Sequence, residues 1–254
     1  MKIGILYICV GKYEIFWDDF YSSCEKYFLK EDIKHYFIFT DSPKILNINM
    51  SNCTTIYQEK LLWPYITLYR YKFFESILDQ LSQMDYIFFF NANLRFNSLI
   101  DQEFLPSKKQ PFTFVIHPGY YKKSKDFFPY EKNIDSTAYL SADNAKYYIM
   151  GGVNGGLSAE YIDLIKQLNR NIKLDEDNKI IAEWHDESHL NKFAHDNLSR
   201  SNILSPKYGY PEGWDLPFEK KIIILDKNKF GGHKFLRGQQ LSFKEKLKLC
   251  LKKK

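Results

Sequence analysis

The sequence predicts an α/β protein with one mixed, mostly parallel central sheet flanked by helices and an elaborated second half. Three observations predict it. Apolar strand-like runs alternate early in the chain with amphipathic helix-like stretches. One run, Tyr86 to Phe90, is an unbroken series of β-formers, which suits a strand buried on both faces. Beyond it the pattern turns aromatic, charged and irregular, with no linker or repeat, so the 254 residues read as one domain of ordinary enzyme size.

Ile3 to Val10 reads as the first strand and Gly11 as its turn. Lys2 and this apolar run resemble a signal peptide superficially, but no small-residue cleavage site follows. Tyr13 to Phe28 reads as a helix carrying Ile15, Phe16, Phe20 and Tyr27. His35 to Phe39 is the next strand, closed by the polar turn Thr40-Asp41-Ser42-Pro43, and Thr54 to Tyr57 is a weaker one. Pro64 suits a first helical turn, and Leu68, Tyr71, Phe74, Ile77 and Leu78 space a helix from there to about Leu81. Phe112 to His117 is a strand ended by Pro118-Gly119. Tyr120 to Asp143 is long for a structureless loop and reads as a site-forming one. Tyr147 to Met150 re-enters the sheet, and Gly151-Gly152-Val153-Asn154-Gly155-Gly156 lets a backbone approach a ligand or another chain closely. Its spacing is wrong for a dinucleotide fingerprint. Helices follow over Ala159 to Asn169 and Glu187 to Asn197, and Ile222 to Leu225 is a last strand.

Composition excludes some functions. The net charge of +5 sits wholly in residues 241–254, which hold six Lys and one Glu, so the body 1–240 is neutral. A neutral body argues against a nucleic-acid partner, which needs basic charge spread over a docking face. In the tail, Phe243, Leu247, Cys250 and Leu251 share a helical face among lysines, a pattern for peripheral contact with an anionic membrane or for a solvated, disordered tail. No apolar run reaches the roughly 18 residues that cross a bilayer. Cys9, Cys24, Cys53 and Cys250 show neither metal spacing nor a disulfide pattern, so the expected compartment is reducing and cytoplasmic, with the inner membrane face as a peripheral location.

Two stretches carry chemistry. Asn91-Ala92-Asn93 ends the central strand, where ligands of α/β sheets bind, although asparagines there also make ordinary turns. Trp184-His185-Asp186-Glu187-Ser188-His189 is the densest polar cluster. Asp186 suits a helix N-cap with Glu187 in the first turn. His185 and His189 are four apart, but the zinc protease pattern needs Glu directly after the first His, and Asp186 stands there.

Four segments in this order, Ile116-His-Pro-Gly-Tyr-Tyr121, Tyr147-Tyr-Ile-Met-Gly-Gly-Val-Asn-Gly-Gly-Leu157, Ala182-Glu-Trp-His-Asp-Glu-Ser-His-Leu-Asn-Lys192 and Leu204-Ser-Pro-Lys-Tyr208, resemble glycosyltransferase family 6. The resemblance runs from about Ile3 to Arg237 and suggests a short bacterial-type member without the membrane anchor and stem of vertebrate members. It implies a GT-A fold and retaining transfer of GalNAc or Gal from a UDP-sugar to the 3-hydroxyl of a galactose.

The largest departure from the family is Asn91-Ala92-Asn93 in place of Asp-Xaa-Asp. Neutral amides lack the anionic oxygens that a divalent ion bridging a diphosphate needs, so the expectation is activity without a metal cofactor. Lys227, with Arg237 or Lys234 as a second cation, would balance the departing charge. The resemblance further gives Ile8, Val10, Tyr13 and Ala92 contacts to uracil and ribose, and Arg70 and Asp186 to the donor. Met150, Gly151 and Gly152 match the sugar-discriminating triplet. Two glycines leave space for a 2-acetamido group, which favours UDP-GalNAc, while methionine at the first place is more like UDP-Gal users. Trp184 and His117 would bind the acceptor galactose, expected to be 2-fucosylated, and Glu187 would be both catalytic and acceptor-binding. Lys207 to Glu212 departs from the family and lacks its acceptor-binding aspartate. A carbohydrate-binding protein that lost activity and a UDP-sugar hydrolase are the rival expectations; Trp184, Asp186 and Glu187 disfavour the binder.

Overall fold

The computed structural model describes residues 1–141, 143 and 146–239. The basic tail 241–254 lies outside them. The chain starts with β1 (Lys2–Ile8), a 3-10 turn (Gly11–Phe16) and α1 (Trp17–Tyr27), then β2 (Ile33–Thr40), α2 (Pro43–Leu46) and β3 (Cys53–Tyr57). Next come α3 (Tyr65–Leu68), α4 (Arg70–Glu75), α5 (Leu78–Leu81), β4 (Tyr86–Asn91), β5 (Leu94–Phe96) and β6 (Phe112–Ile116). The second half holds β7 (Ile149–Leu157), α6 (Ser158–Asp177), α7 (Asp186–Asp196), β8 (Ser201–Leu204), β9 (Tyr210–Pro211), β10 (Ile222–Ile224) and α8 (Gly232–Leu236).

Seven strands form the central sheet in the order β3-β2-β1-β4-β7-β6-β8. β3, β2, β1 and β4 run parallel; β7 is antiparallel to both β4 and β6, and β8 is parallel to β6. The sheet is therefore mixed and mostly parallel, as the alternation predicts. β5, β10 and β9 make a second, three-stranded sheet that brings the C-terminal segment to the end of β4.

The central strand shows why an unbroken apolar run belongs here. Phe88 and Phe90 face one layer, with Trp17, Phe20 and Phe28, while Ile87 and Phe89 face the other, with Tyr71, Phe74 and Leu164. Both faces are dry from Ile87 to Phe90, so none of these four positions suits a polar side chain. The glycines of β7 serve the same packing. A Cβ at Gly155 would overlap the Phe88 ring and the Ile87 carbonyl of β4, and one at Gly156 would come to 2.6 Å from the Pro111 carbonyl oxygen.

Three expectations need correction. The strand expected over Tyr147 to Met150 is β7, Ile149–Leu157, and Gly151 to Gly156 is its body, so the close approach the glycines permit is to β4 and to site side chains. The helix expected from Pro64 to Leu81 is three short helices, with Pro64 as N-cap and breaks at Tyr69 and Ile77. Four of the six residues of α4, Arg70, Tyr71, Phe73 and Phe74, are buried, a wider face than one helical stripe supplies. Asp186 is the first residue of α7 rather than its N-cap; His185 holds that place at φ 54° and ψ −125° without a capping side chain. No helix among the described residues is long and apolar enough to cross a membrane.

Candidate active site

Two adjoining cavities open at the carboxyl end of β4. The first, of about 150 Å³, is lined by Ile8, Val10 and Tyr13 from the end of β1 and by Trp63, Ile66, Thr67 and Arg70. Phe89, Asn91, Ala92, Asn93, Lys227 and Arg237 complete it. The second, of about 520 Å³, shares Asn91, Asn93 and Lys227 with the first. Its other walls include His117, Met150, Gly152, Glu187, Glu212 and Trp214. The parallel strands β1 and β4 end side by side, Ile8 paired with Asn91, and so bring sequence-distant residues to one rim.

The first cavity is apolar at one end and cationic at the other. Lys227 Nζ lies 5.3 Å from the Tyr13 ring centroid, and the Arg237 guanidinium lies 4.6 Å from that of Trp63. Burial, with Arg237 adding to it, lowers the Lys227 pKa to about 8. Of the two candidate second cations, Arg237 lines this cavity and Lys234 does not line either one.

The asparagines are held differently. The Asn93 side-chain amide donates to the Leu225 carbonyl at 3.0 Å, and the Leu225 N–H donates back to the Asn93 carbonyl at 2.9 Å. Tyr7 fixes the backbone between them by donating to the Ala92 carbonyl at 3.0 Å. Asn91 faces both cavities. The two amides offer neutral oxygens, without the negative charge that carboxylates at these two places would give a divalent cation. His185 and His189 also look apart. His185 packs edge-on to Trp63, and His189 lies against Thr137 and Asp175. Among the described residues no group of three His, Cys, Asp or Glu could hold a metal ion.

Glu187 stands at the wall of the second cavity. Its two oxygens accept hydrogen bonds from the Gly151 N–H at 2.6 Å and the Tyr148 hydroxyl at 2.9 Å. Asn191, one turn further along α7, ties helix to strand. Its amide donates to the carbonyls of Ile149 and Glu187, and its oxygen accepts the Ile149 N–H. Burial raises the Glu187 pKa, against the pull of the Gly151 N–H, the Tyr148 hydroxyl and Arg70. Asp186 is buried and 3.0 Å from Arg70 Nε, at ion-pair distance but off the line of a hydrogen bond. Burial raises its pKa to about 7, with Arg70 opposing the shift and Glu187 adding to it. Arg70 also donates to the Gly151 carbonyl at 2.7 Å and lies over the Phe89 ring, so it is a buried clamp and not a helix-surface ion pair.

The Met150-Gly151-Gly152 triplet lies between these groups. A Cβ at Gly152 would come to 2.6 Å from Asn91 Nδ2, and one at Gly151 to 3.1 Å from Glu187 Oε2. The space expected beside the glycines is thus shared with Asn91 and Glu187, and the glycines let both approach the strand. His117 lines the same cavity. Burial, with Lys123 adding to it, lowers its pKa to about 4, and its Nδ1 accepts the Gly119 N–H. That bond leaves Nε2 as the protonated nitrogen, a donor for a hydroxyl oxygen. Trp184 does not line either cavity; its side chain is on the surface, at 44% exposure, beside α7.

Several contributors have no clear sequence signal. Tyr148 lies two residues before the triplet, yet only the fold shows that it donates to Glu187. Trp63 stands seven residues before Arg70 in the sequence, and only the fold brings it into the first cavity; Glu212 ends the segment that departs from the expected pattern, and Trp214 follows it.

A cavity with an apolar end and a cationic end suits a nucleotide diphosphate, and the carboxylate next to it suits chemistry at a sugar. Comparison with known proteins agrees. The model of "Glycosyltransferase family 6" matches residues 1–230. The chain is 36% identical over 235 residues to the Escherichia coli O-antigen biosynthesis glycosyltransferase WbnI, covering 90% of this chain and 96% of that one. It is 30% identical over 241 residues to human globoside alpha-1,3-N-acetylgalactosaminyltransferase 1, covering 90% and 67%. It is 27% identical over 244 residues to rat histo-blood group ABO system transferase 1, covering 89% and 67%. On the sheet, the paired cavities and these relatives together, the chain belongs to glycosyltransferase family 6 and is a hexosyltransferase with a GT-A-like fold.

Proposed function

We propose that this enzyme transfers GalNAc from UDP-GalNAc to the 3-hydroxyl of a galactose, with retention at the anomeric carbon and without a divalent metal. One observation carries the reading. Glu187 is held by two hydrogen bonds at the wall of one cavity, and the cationic end of the other begins at the shared residues Asn91, Asn93 and Lys227. Uracil and ribose fit against Ile8, Val10, Tyr13 and Ala92, and the diphosphate against Lys227 and Arg237. Those two cations face the charge that grows on UDP as the bond from C1 to the phosphate oxygen breaks. Arg70 and Asp186 hold the donor side of β7 in place. Glu187 either attacks C1 as UDP leaves, the glycosyl–enzyme bond then breaking as the acceptor oxygen bonds to C1, or stabilises the oxocarbenium ion while that oxygen attacks; in both cases the acceptor hydroxyl proton passes to the departing phosphate oxygen. His117 orients the acceptor galactose by its Nε2 hydrogen, and Trp184, on the surface beside α7, packs on the sugar from outside the cavity.

The metal proposal rests on the amides at 91 and 93. Turnover is expected to be unchanged in EDTA and not to rise with Mn²⁺; loss in chelator with recovery on Mn²⁺ would overturn it.

The donor proposal rests on Gly151 and Gly152, which have Glu187 and Asn91 beside them. The name of the globoside relative, an α-1,3-N-acetylgalactosaminyltransferase, supports it. UDP-GalNAc is expected to show the higher kcat/KM in competition; an advantage for UDP-Gal would make this a galactosyltransferase, the alternative that Met150 favours. For the acceptor, a 2-fucosylated galactose is the first choice. Incubation of both donors with fucosylated and plain lactose, with products identified by mass and linkage, tests donor, acceptor and reaction together. Free sugar released equally with and without acceptor would instead identify a hydrolase. The E. coli relative is described as acting in O-antigen biosynthesis, and glycan synthesis at the cytoplasmic face of a membrane is the setting we propose. The basic tail would supply the membrane contact.

A further inference from the structure

The long irregular segment 120–141 is tied to α6 and α7 by two buried carboxylates that the transfer chemistry does not use. Glu131 is 7% exposed, and both its oxygens are engaged by backbone N–H groups, Asn133 at 2.7 Å and Glu183 at 2.6 Å. Asp175, near the end of α6 and 1% exposed, accepts the Ser136 hydroxyl at 2.5 Å and the Thr137 N–H at 2.8 Å. Thr137 donates to the Asn171 carbonyl, and its hydroxyl is also 3.4 Å from His189 Nδ1. The same segment reaches the carboxylate that faces the second cavity. Tyr120 and Tyr130 pack on Tyr148, at 4.7 and 5.6 Å between ring centroids, and Tyr148 donates to Glu187.

The Glu131 contact falls at a decisive point. Glu183 directly precedes Trp184, and the turn there is tight. The His185 N–H bonds the Ala182 carbonyl, the Glu187 N–H bonds the Trp184 carbonyl, and His185 has positive φ. A non-glycine residue in that conformation persists only where its surroundings hold it. Ser188 Oγ accepts the Trp184 N–H from the helix side, at 3.0 Å. From the side of the irregular segment the hold is the Glu131 carboxylate on the Glu183 N–H.

We infer that Glu131 is a positioning residue for the acceptor. Its buried carboxylate sets the turn that carries Trp184 and thereby fixes where the indole stands, on the surface at the start of α7 and one turn before Glu187. The inference rests on the reading of Trp184 as an acceptor contact. Neither side-chain hydrogen-bond partner of Glu131 lines the nucleotide cavity, so donor binding lies outside its reach.

Glu131→Gln keeps the shape but turns an amide NH₂ toward one of two N–H donors, which removes a charge-assisted hydrogen bond. The expected result is a rise of about tenfold in acceptor KM, from the loss of one such buried bond. Donor KM and acceptor-independent hydrolysis of UDP-GalNAc should stay within about twofold of the parent, since ground-state acceptor binding alone is touched. In a Trp184→Ala background Glu131→Gln should add nothing further, because the two act on one interaction. If Glu131→Gln does not fold, Ser136→Ala loosens the same segment at its other anchor and should raise acceptor KM with donor KM unchanged. An unaltered acceptor KM in the folded variant, or equal losses for donor and acceptor, overturns the inference. So does full additivity with Trp184→Ala. A wild-type enzyme that transfers no sugar to galactose overturns the proposed function instead, before any variant is compared.

Discussion

Glu187→Gln is expected to lower kcat by about three orders of magnitude, within the range that positioned carboxylates and other acid–base groups contribute, while UDP binding is nearly unchanged. The side chain keeps its volume, but it loses the negative charge that faces the cationic sugar in the transition state. It also loses fit. Gly151 N–H and Tyr148 OH both point donors at this carboxylate, and an amide offers them only one acceptor oxygen. The first cavity, proposed to hold UDP, does not include Glu187, so calorimetric titration with UDP should give a near-parental Kd. A variant with near-normal kcat would remove Glu187 from the mechanism.

Arg70→Met is expected to cost about 3 kcal/mol of stability at pH 8, the size seen when one partner of a buried ion pair is deleted, and markedly less at pH 5. The pH dependence follows from Asp186. Its folded pKa of about 7 lies above the ordinary aspartate value, so folding takes up a proton and stability falls as pH rises toward that pKa. Arg70 favours the ionised form; its removal raises the Asp186 pKa further and extends the fall to higher pH. At pH 5 the carboxyl is protonated with or without its partner, and the loss is confined to the Gly151 hydrogen bond and the packing on Phe89. Urea unfolding at both pH values reads the difference, and Asp186→Asn in the Arg70→Met background should restore most of the extra loss at pH 8. An equal loss at both pH values would mean that Arg70 acts by packing alone.

The sheet was legible in the sequence where burial is one-sided in chemistry. Tyr86 to Phe90 can be nothing but a strand between two dry layers, and β1, β2 and β6 lie within two residues of expectation. β5, β8 and β9 escaped because strands of two to four residues carry too few alternations to register. The glycine run misled for a different reason: its glycines are set by the Phe88 ring and Asn91 on the neighbouring strand, a tertiary cause that local pattern cannot show. The candidate site was read through resemblance, and the structure brings Ile8, Val10, Tyr13, Arg70, the Asn91 to Asn93 stretch, Lys227 and Arg237 to one cavity. It places Met150, Gly152, His117 and Glu187 around the next. Trp184 falls outside both, and Trp214 supplies the indole that lines the larger one, a placement fixed by the small second sheet.

The bond from Asn93 to the Leu225 carbonyl limits how this protein could be re-engineered. Aspartate has no hydrogen to give there, so its charge would sit against a lone pair and the strand tip would part from the segment that carries Lys227. Placing an acidic pair at 91 and 93 therefore takes more than exchanging two amides for two acids: the crossing at Leu225 would have to be redesigned with them.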